Sequence, residues 1–135
     1  MKVMLVDDEP SFHVLVQSVC ESAGHEFRGV GDSRQAIEVF KAYAPDVVLL
    51  DIMMPYLDGY QVCEGIRALD SEVAVVFLSA KGAVPDKREA FSRGADDYLV
   101  KPFDGEELLM RLEALQRRSQ RAKAQAAPAP SETLK

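Results

Sequence analysis

The sequence predicts an α/β protein built on a five-stranded, doubly wound parallel sheet. Three observations lead to this fold class. Short apolar runs alternate with segments whose apolar residues recur at helical spacing. The apolar runs are nearly continuous, which is typical of parallel strands that are buried on both faces. Glycine, proline or polar residues separate these segments, and no unit repeats along the chain.

The first half of the chain contains three predicted strands and two predicted helices. The strands are residues 3–6, the weaker 25–30, and 47–50. The first helix is indicated by a stripe that begins at Phe12, and Gly24 is a natural end for it. Ser33 can cap the second helix, which Pro45 would end.

The second half continues the same alternation. Asp58 can cap a third helix, and a fourth strand is predicted at residues 73–78. Asp86 opens a short, highly charged helix that ends near Gly94. The fifth strand and the last helix are indicated by two final apolar groups. These are residues 98–100 and the stripe of Leu108, Leu112 and Leu115.

Charge is unevenly distributed along the 135 residues, which carry a formal net charge of −6. Residues 117–135 contain five basic residues and one acidic residue, so the rest of the chain is strongly acidic. An acidic body argues against direct nucleic-acid binding, which depends on neutralising phosphates. We predict a domain over residues 1–118 and a linker or flexible tail over 119–135, where Arg, Lys, Gln, Ala and Pro predominate.

Several classes of protein are disfavoured by what the sequence lacks. There is no apolar run of about 18 residues, so no membrane span is expected. The start of the chain leads straight into a strand, which disfavours a signal peptide. Cys20 and Cys63 are predicted to be buried free thiols, and His13 and His25 to be surface residues. A cytoplasmic protein is expected.

Polar residues stand at the carboxyl ends of four predicted strands. Asp7 and Asp8 follow the first strand and Asp51 follows the third. Ser79 follows the fourth strand and Lys101 the fifth. Because the carboxyl ends of parallel strands meet at one edge of a sheet, we expect these side chains to share a pocket.

Three clustered carboxylates repel one another unless a cation intervenes. Oxygen-only ligands without histidine or cysteine point to a hard divalent cation, most simply Mg²⁺. A carboxylate held beside Mg²⁺ and an ammonium group is well placed to attack phosphorus. We therefore predict Asp51 as a phosphoryl acceptor, with Lys101 offsetting charge on the incoming group and Ser79 donating a hydrogen bond to it.

Four segments then resemble a known family. "MLVDDEP", "VVLLDIMMPYLDGY", "VVFLSA" and "GADDYLVKPF" are similar to the signature segments of the response regulator receiver domain of two-component signalling. The resemblance covers about residues 2–118. It implies the flavodoxin-like (βα)5 receiver fold and a frequent site of a cis peptide between Lys101 and Pro102.

The resemblance also implies roles for residues around the acceptor. Asp51 would be the phosphorylation site and Asp8 a direct Mg²⁺ ligand, while Asp7 would act on the metal largely through water. The main-chain carbonyl of Met53 would be a further ligand. Lys101 resembles the invariant lysine of the family.

Other positions match the family's loop and switch. Pro55 and Gly59 match the loop that shapes the acceptor's surroundings. Ser79 and Tyr98 resemble the switch pair, in which the hydroxyl moves toward the phosphoryl group and the aromatic ring turns inward behind it. Met53 and Lys81 lie at variable positions thought to tune dephosphorylation, and their effect here stays open.

The face formed by the fourth helix, fifth strand and fifth helix would change shape during switching. "ADDYLVKPF" resembles the subgroup joined to winged-helix DNA-binding domains, which implies that phosphorylation produces a homodimer through this face. The charged residues expected there are Lys87, Arg88, Glu89, Asp96, Asp97, Glu107, Arg111 and Arg118.

The predicted protein is a phosphorylatable signalling domain rather than an enzyme, capable only of self-catalysed phosphoryl acceptance and slow autodephosphorylation. Its expected partners are a sensor histidine kinase or phosphotransfer protein, which supplies the phosphoryl group from a phosphohistidine. A C-terminal output domain or a separate partner would receive the signal, and transcription control is the expected outcome. A winged-helix domain, a cyclic-dinucleotide enzyme, a kinase module and a stand-alone receiver all stay open.

Three competing functions fit the sequence less well. A haloacid dehalogenase-type phosphatase generally has a second aspartate two residues after the first, and Met53 occupies that position. A flavodoxin-like electron carrier needs a phosphate-binding loop after the first strand, but "DDEPS" is acidic and would repel FMN phosphate. A degenerate receiver that only binds partners is unsupported, because all the acceptor-site residues are present.

Overall fold

A computed structural model describes residues 1–80 and 87–126 of the chain. Within them, strands and helices alternate along the whole length. The strands are β1 (Lys2–Val6), β2 (Glu26–Val30), β3 (Val47–Asp51), β4 (Ala74–Ala80) and β5 (Asp97–Lys101). The helices are α1 (Pro10–Ser22), α2 (Ala36–Tyr43), α3 (Gly59–Leu69), α4 (Lys87–Ser92) and α5 (Gly105–Ala126), with a 3₁₀ turn at Ser33–Gln35.

The five strands form one parallel sheet in the order β2-β1-β3-β4-β5. The predicted doubly wound α/β fold is therefore confirmed. The strand order reverses after β1, so a crevice opens between the ends of β1 and β3. The peptide bond between Lys101 and Pro102 is cis, as the resemblance implied.

Two apolar layers cover the two faces of the sheet. Successive residues of each strand point to opposite faces, so Met4 and Val6 join one layer while Val3 and Leu5 join the other. Helices α2, α3 and α4 pack on the first face, and α1 and α5 pack on the second. Cys63 lies in the first layer and Cys20 in the second. Both are buried free thiols, which confirms the prediction made for them.

Two predicted helix starts have different outcomes. Asp58 caps α3 as expected, because its carboxylate accepts from the main-chain N–H of Gln61 while the Gln61 side chain accepts from that of Asp58. The prediction that Ser33 caps a helix is wrong. Asp32 caps the 3₁₀ turn that precedes α2, and the Ser33 hydroxyl turns toward another loop.

Strand ends also differ slightly from the prediction. Asp51, Ser79 and Lys101 are within β3, β4 and β5 rather than after them. Their backbones are therefore held in the sheet ladder, which positions the side chains more firmly than a loop would. Asp86, which was predicted to open the fourth helix, and Lys81 lie outside the described residues.

The last helix extends beyond the predicted end of the domain at residue 118. It continues to Ala126, so residues 119–126 are helical where the sequence predicted a linker or flexible tail, and residues 127–135 lie outside the described part of the chain. Within the described residues, no helix combines the length and apolar character that a membrane span requires.

The two histidines are less exposed than the sequence indicated. His25 is only 9% exposed, and its Nδ1 lies 3.1 Å from the amino group of Met1. His13 is half-buried on α1, with Nε2 2.6 Å from the main-chain oxygen of Asp7. Both rings therefore have structural partners, and the surface prediction is wrong for His25.

Candidate functional site

The sheet brings three carboxylates together at the crevice beyond β1 and β3. One carboxylate oxygen from each of Asp7, Asp8 and Asp51 lies within 4.8 Å of the others. Asp7 and Asp51 are buried, whereas Asp8 is exposed. This juxtaposition follows from the parallel pairing of β1 with β3, in which Val6 lies opposite Leu50.

Lys101 reaches the same point from the end of β5. Its Nζ lies 2.8 Å from Asp7 Oδ2, 3.5 Å from Asp51 Oδ2 and 3.6 Å from Glu9 Oε1. The ammonium group also lies 4.1 Å from the centre of the Phe12 ring. A nearly buried cation thus stands beside two buried acids, with an aromatic face behind it.

Burial raises the pKa of Asp51 to about 6, and repulsion from Asp7 and, more weakly, Asp8 acts in the same direction. Lys101 opposes this rise but does not overcome it. For Lys101 itself, burial lowers the pKa, but the hydrogen bond to Asp7 and the negative charges of Asp7, Asp51 and Glu9 together outweigh burial, so the net pKa is raised. The lysine therefore stays charged while Asp51 retains an affinity for a further cation or proton.

The donor set fits a hard divalent cation such as Mg²⁺. Three carboxylates within 4.8 Å face one lysine, so negative charge remains uncompensated. Burial is the main cause of the raised pKa of Asp51, and repulsion from Asp7 and Asp8 adds to it. All the clustered ligands are oxygens, and Asp8 is open to water, which Mg²⁺ keeps in its coordination shell. Met53 stands two residues after Asp51 with an exposed side chain.

A tight loop connects Asp51 to α3. The N–H of Gly59 donates to the main-chain oxygen of Ile52 at 2.7 Å, which folds the loop back onto the end of β3. A Cβ at Gly59 would clash with the main-chain oxygen of Asp51, so this close approach requires glycine. Pro55 lies at the exposed tip of this loop.

Ser79 and Tyr98 lie on adjacent strands near this site. Ser79 is buried, and among the described residues its hydroxyl makes a long, 3.4 Å contact with the main-chain oxygen of Ala80. Tyr98 is opposite Phe77 in the β4–β5 register and is 5% exposed. Its ring therefore has the inward position that the resemblance assigns to the switched arrangement.

Several of the charged residues predicted for a dimer face are paired within the single chain. Arg111 Nη1 lies 3.0 Å from Asp97 Oδ1, and Arg118 Nη2 lies 2.8 Å from Asp96 Oδ1. The guanidinium of Arg111 also approaches Glu107, at 3.8 Å. Other members of the predicted face lie on α4. Arg88 and Glu89 are exposed, and the side chain of Lys87 is outside the described part.

Two groups of residues near the site were not predicted from the sequence. Glu9 and Phe12 surround the Lys101 ammonium, although Glu9 directly follows the acidic pair and could have been recognised from that position. Arg34 and Tyr56 stack on each other across two loops, with the guanidinium carbon 3.6 Å from the ring centre. No local pattern links two residues so far apart in the chain.

Comparison with known proteins identifies the family. The family model described as "Response regulator receiver domain" matches residues 3–113. A Guillardia theta protein named "Probable transcriptional regulator ycf27" is 44% identical over 90% of this chain and 47% of its own length. The "DNA-binding dual master transcriptional regulator RpaA" of Synechocystis is 38% identical over 89% of this chain and 51% of its own length. The chain thus spans about half the length of these curated relatives.

Solved structures agree with this match. The receiver domain of the Francisella response regulator 1452 superimposes with a TM-score of 0.80 and 32% identity, covering 87% of this chain and 98% of that one. NtrX from Brucella abortus gives a TM-score of 0.86 and 30% identity, covering 93% of this chain and 28% of that one. Together with the acidic crevice and its lysine, these matches show that the chain belongs to the response regulator receiver domain family.

Proposed function

We propose that Asp51 accepts a phosphoryl group from a phosphohistidine and that this modification switches the face formed by α4, β5 and α5. The observation that carries the proposal is the position of Asp51. It is 6% exposed, it shares a cluster with two other acids, and its carboxylate lies 3.5 Å from the Lys101 ammonium. A buried carboxylate with a raised pKa beside a cation is typical of a functional site rather than of a purely structural ion pair.

In the proposed step, an ionised oxygen of Asp51 attacks phosphorus, and an acyl phosphate bond forms as the bond from phosphorus to the donor's imidazole nitrogen breaks. The electron pair of the broken bond stays on the imidazole nitrogen, which takes up a proton. Lys101 offsets negative charge on the transferred oxygens. Ser79 directly follows Leu78, which lies opposite Asp51 in the β3–β4 register, and in this proposal its hydroxyl donates to one of those oxygens.

Asp8, Asp7, Asp51 and the main-chain carbonyl of Met53 are the groups that would hold Mg²⁺. When bound, the metal would neutralise charge between the carboxylates and the phosphoryl oxygens. Asp8 is the exposed acid of the cluster and would meet the metal directly, while Asp7, already paired with Lys101 at 2.8 Å, would act largely through water. Lys101 prevents Asp7 from remaining an unpaired buried charge.

The proposed switch uses Ser79 and Tyr98. Both are buried on neighbouring strands, and the tyrosine ring is already inward in this structure. Movement of the Ser79 hydroxyl toward the phosphoryl group would further stabilise this inward position. Because β5 lies between α4 and α5 in sequence, this ring connects the acceptor to the face that we propose as the output surface. Phosphorylation would shift the population between two packings of that face.

A sensor histidine kinase or phosphotransfer protein is the proposed donor. The named relatives are described as transcriptional regulators and are about twice as long as this chain, which supports an output domain or partner beyond residue 118 and a role in transcription. We propose that phosphorylated copies pair through α4, β5 and α5, and that the domain itself makes no direct contact with nucleic acid. Slow autodephosphorylation would return the switch to its resting state.

Acceptance is tested by measuring intact-protein mass after incubation with acetyl phosphate and Mg²⁺. We expect one added phosphoryl group on the wild type and none on Asp51→Asn or on samples freed of metal. Asp46→Asn is the matched control, because Asp46 is an exposed aspartate at the opposite end of the same strand. Modification of Asp51→Asn to the same extent as wild type would refute Asp51 as the acceptor.

An unmodified wild type would have two explanations, which beryllofluoride separates. This phosphoryl analogue binds without a transfer step, so binding would indicate a competent site that requires its own kinase. Failure of both reagents would indicate a receiver that signals without phosphate.

A further inference from the structure

One buried hydroxyl joins two loops at the edge of the acidic crevice. The Ser33 Oγ donates to the main-chain oxygen of Pro55 at 2.7 Å and accepts from the main-chain N–H of Leu57 at 3.0 Å. Ser33 is 2% exposed, so water does not replace these bonds easily. The hydroxyl thus uses both its donor and its acceptor capacity on the segment between β3 and α3.

A second contact joins the same two loops beside these bonds, since Arg34 follows Ser33 and Tyr56 lies between Pro55 and Leu57. The Arg34 guanidinium stacks on the Tyr56 ring at 3.6 Å, and its Nε and Nη2 are held by the Asp32 carboxylate at 3.0 and 2.8 Å. Tyr56 is 68% exposed yet has a φ of +73°, a conformation that a tyrosine rarely adopts. Such a residue persists only where its surroundings hold it in place.

The held segment is the one that carries the proposed metal-ligating carbonyl. Met53 lies between Asp51 and the segment 55–57 that Ser33 holds, so the path of its main chain is fixed at Asp51 by β3 and at residues 55–57 by the serine. A cavity of about 150 Å³ is lined by Asp8, Ser33, Arg34 and Tyr56, among others. The two loops therefore meet directly beside the exposed acid of the cluster.

We propose that Ser33 is a positioning residue for the metal site, acting through the main chain of Pro55 and Leu57, with the Arg34–Tyr56 stack as its outer support. This inference rests on the proposed function, because it concerns the same acidic site. The hydroxyl holds the loop before any metal arrives, so that binding does not have to order it. Loss of the hydroxyl leaves the carboxylates and Lys101 in place but loosens the carbonyl that completes their ligand set.

The test compares Ser33→Ala with wild type and with Ser22→Ala. Ser22 is the matched control, since its hydroxyl also donates to a main-chain carbonyl, at 2.8 Å, but lies at the end of α1. Amide hydrogen exchange in metal-free protein reports on the Leu57 N–H, and an NMR titration with Mg²⁺ alone reports affinity. We expect about tenfold faster exchange at Leu57 and about tenfold weaker Mg²⁺ binding in Ser33→Ala only.

The outcomes separate this inference from the proposed function. Equal Mg²⁺ affinity in Ser33→Ala and wild type would overturn the positioning role, whatever happens to Leu57 exchange. A wild type that binds Mg²⁺ but accepts no phosphoryl group or beryllofluoride would defeat phosphoryl acceptance and leave the serine comparison intact. A wild type that does not bind Mg²⁺ would overturn both.

Arg34→Ala supplies a second variant if Ser33→Ala does not fold. Arg34 is exposed, so its removal breaks the stack on Tyr56 without opening the core. Arg28→Ala is its control, because Arg28 is an exposed arginine on β2 with the same charge. We expect weaker Mg²⁺ binding, by about threefold, in Arg34→Ala alone, and equal affinity in the two arginine variants would count against the outer support.

Discussion

At the scale of single residues, Asp51 combines a functional position with an energetic penalty. Its pKa is raised to about 6 because burial disfavours the charged carboxylate and Asp7 repels it. A carboxyl group whose pKa is raised on folding stabilises the protein below its unfolded pKa, near 4, and this contribution is lost as pH rises through 6. In the absence of metal, ionised Asp51 therefore lowers the free energy of unfolding at neutral pH.

We predict that Asp51→Asn stabilises the metal-free protein at pH 8 by on the order of 1–3 kcal/mol, and that this difference shrinks below pH 4. The substitution does not leave Lys101 unpaired, because its ammonium group also pairs with Asp7, at 2.8 Å. Urea unfolding at the two pH values measures the difference, and Glu113→Gln, a change at an exposed acid on α5, is the control. A wild type as stable as Asp51→Asn at pH 8 would contradict the raised pKa.

At the scale of elements, the loop between β3 and α3 depends on a glycine. We predict that Gly59→Ala destabilises the protein by about 1–3 kcal/mol, because the new Cβ meets main-chain atoms of Asp51 and Ile52 that cannot move aside. Gly31→Ala is the matched control, since a Cβ there meets nothing within 4 Å. Thermal unfolding measures the melting temperatures of both variants. Equal values would show that the loop can rearrange to accommodate the added Cβ.

The elements also show which features the sequence could predict. Asp58 was recognisable as a cap because its partner, Gln61, lies three residues later in the chain. Ser33 was misassigned because its partners, Pro55 and Leu57, lie 22 and 24 residues away, and a local pattern cannot report such contacts. The clustering of Asp7 with Asp51 could be predicted, because parallel pairing dictates it from strand ends alone.

At the scale of the whole molecule, the charged residues on α4, β5 and α5 could form ion pairs either within one chain or between two copies. The sequence predicted that acids of one copy meet bases of another, yet Asp97 pairs with Arg111 within the chain at 3.0 Å. Arg111 remains about two-fifths exposed, so its guanidinium can reach a second molecule. Exposed pairs contribute little to stability, so exchanging one partner for another needs little free energy.

We predict that beryllofluoride-treated wild type dimerises in light scattering, whereas Asp97→Lys and Arg111→Glu each dimerise at least about tenfold more weakly because like charges then face each other across a symmetric interface. An equal mixture of the two variants restores dimers, since Lys at position 97 of one copy meets Glu at position 111 of the other. Within each variant the intrachain pair stays broken, so only contacts between copies can explain recovery. If treated wild type stays monomeric at high concentration, or the mixture does not recover, this face is not the dimer interface.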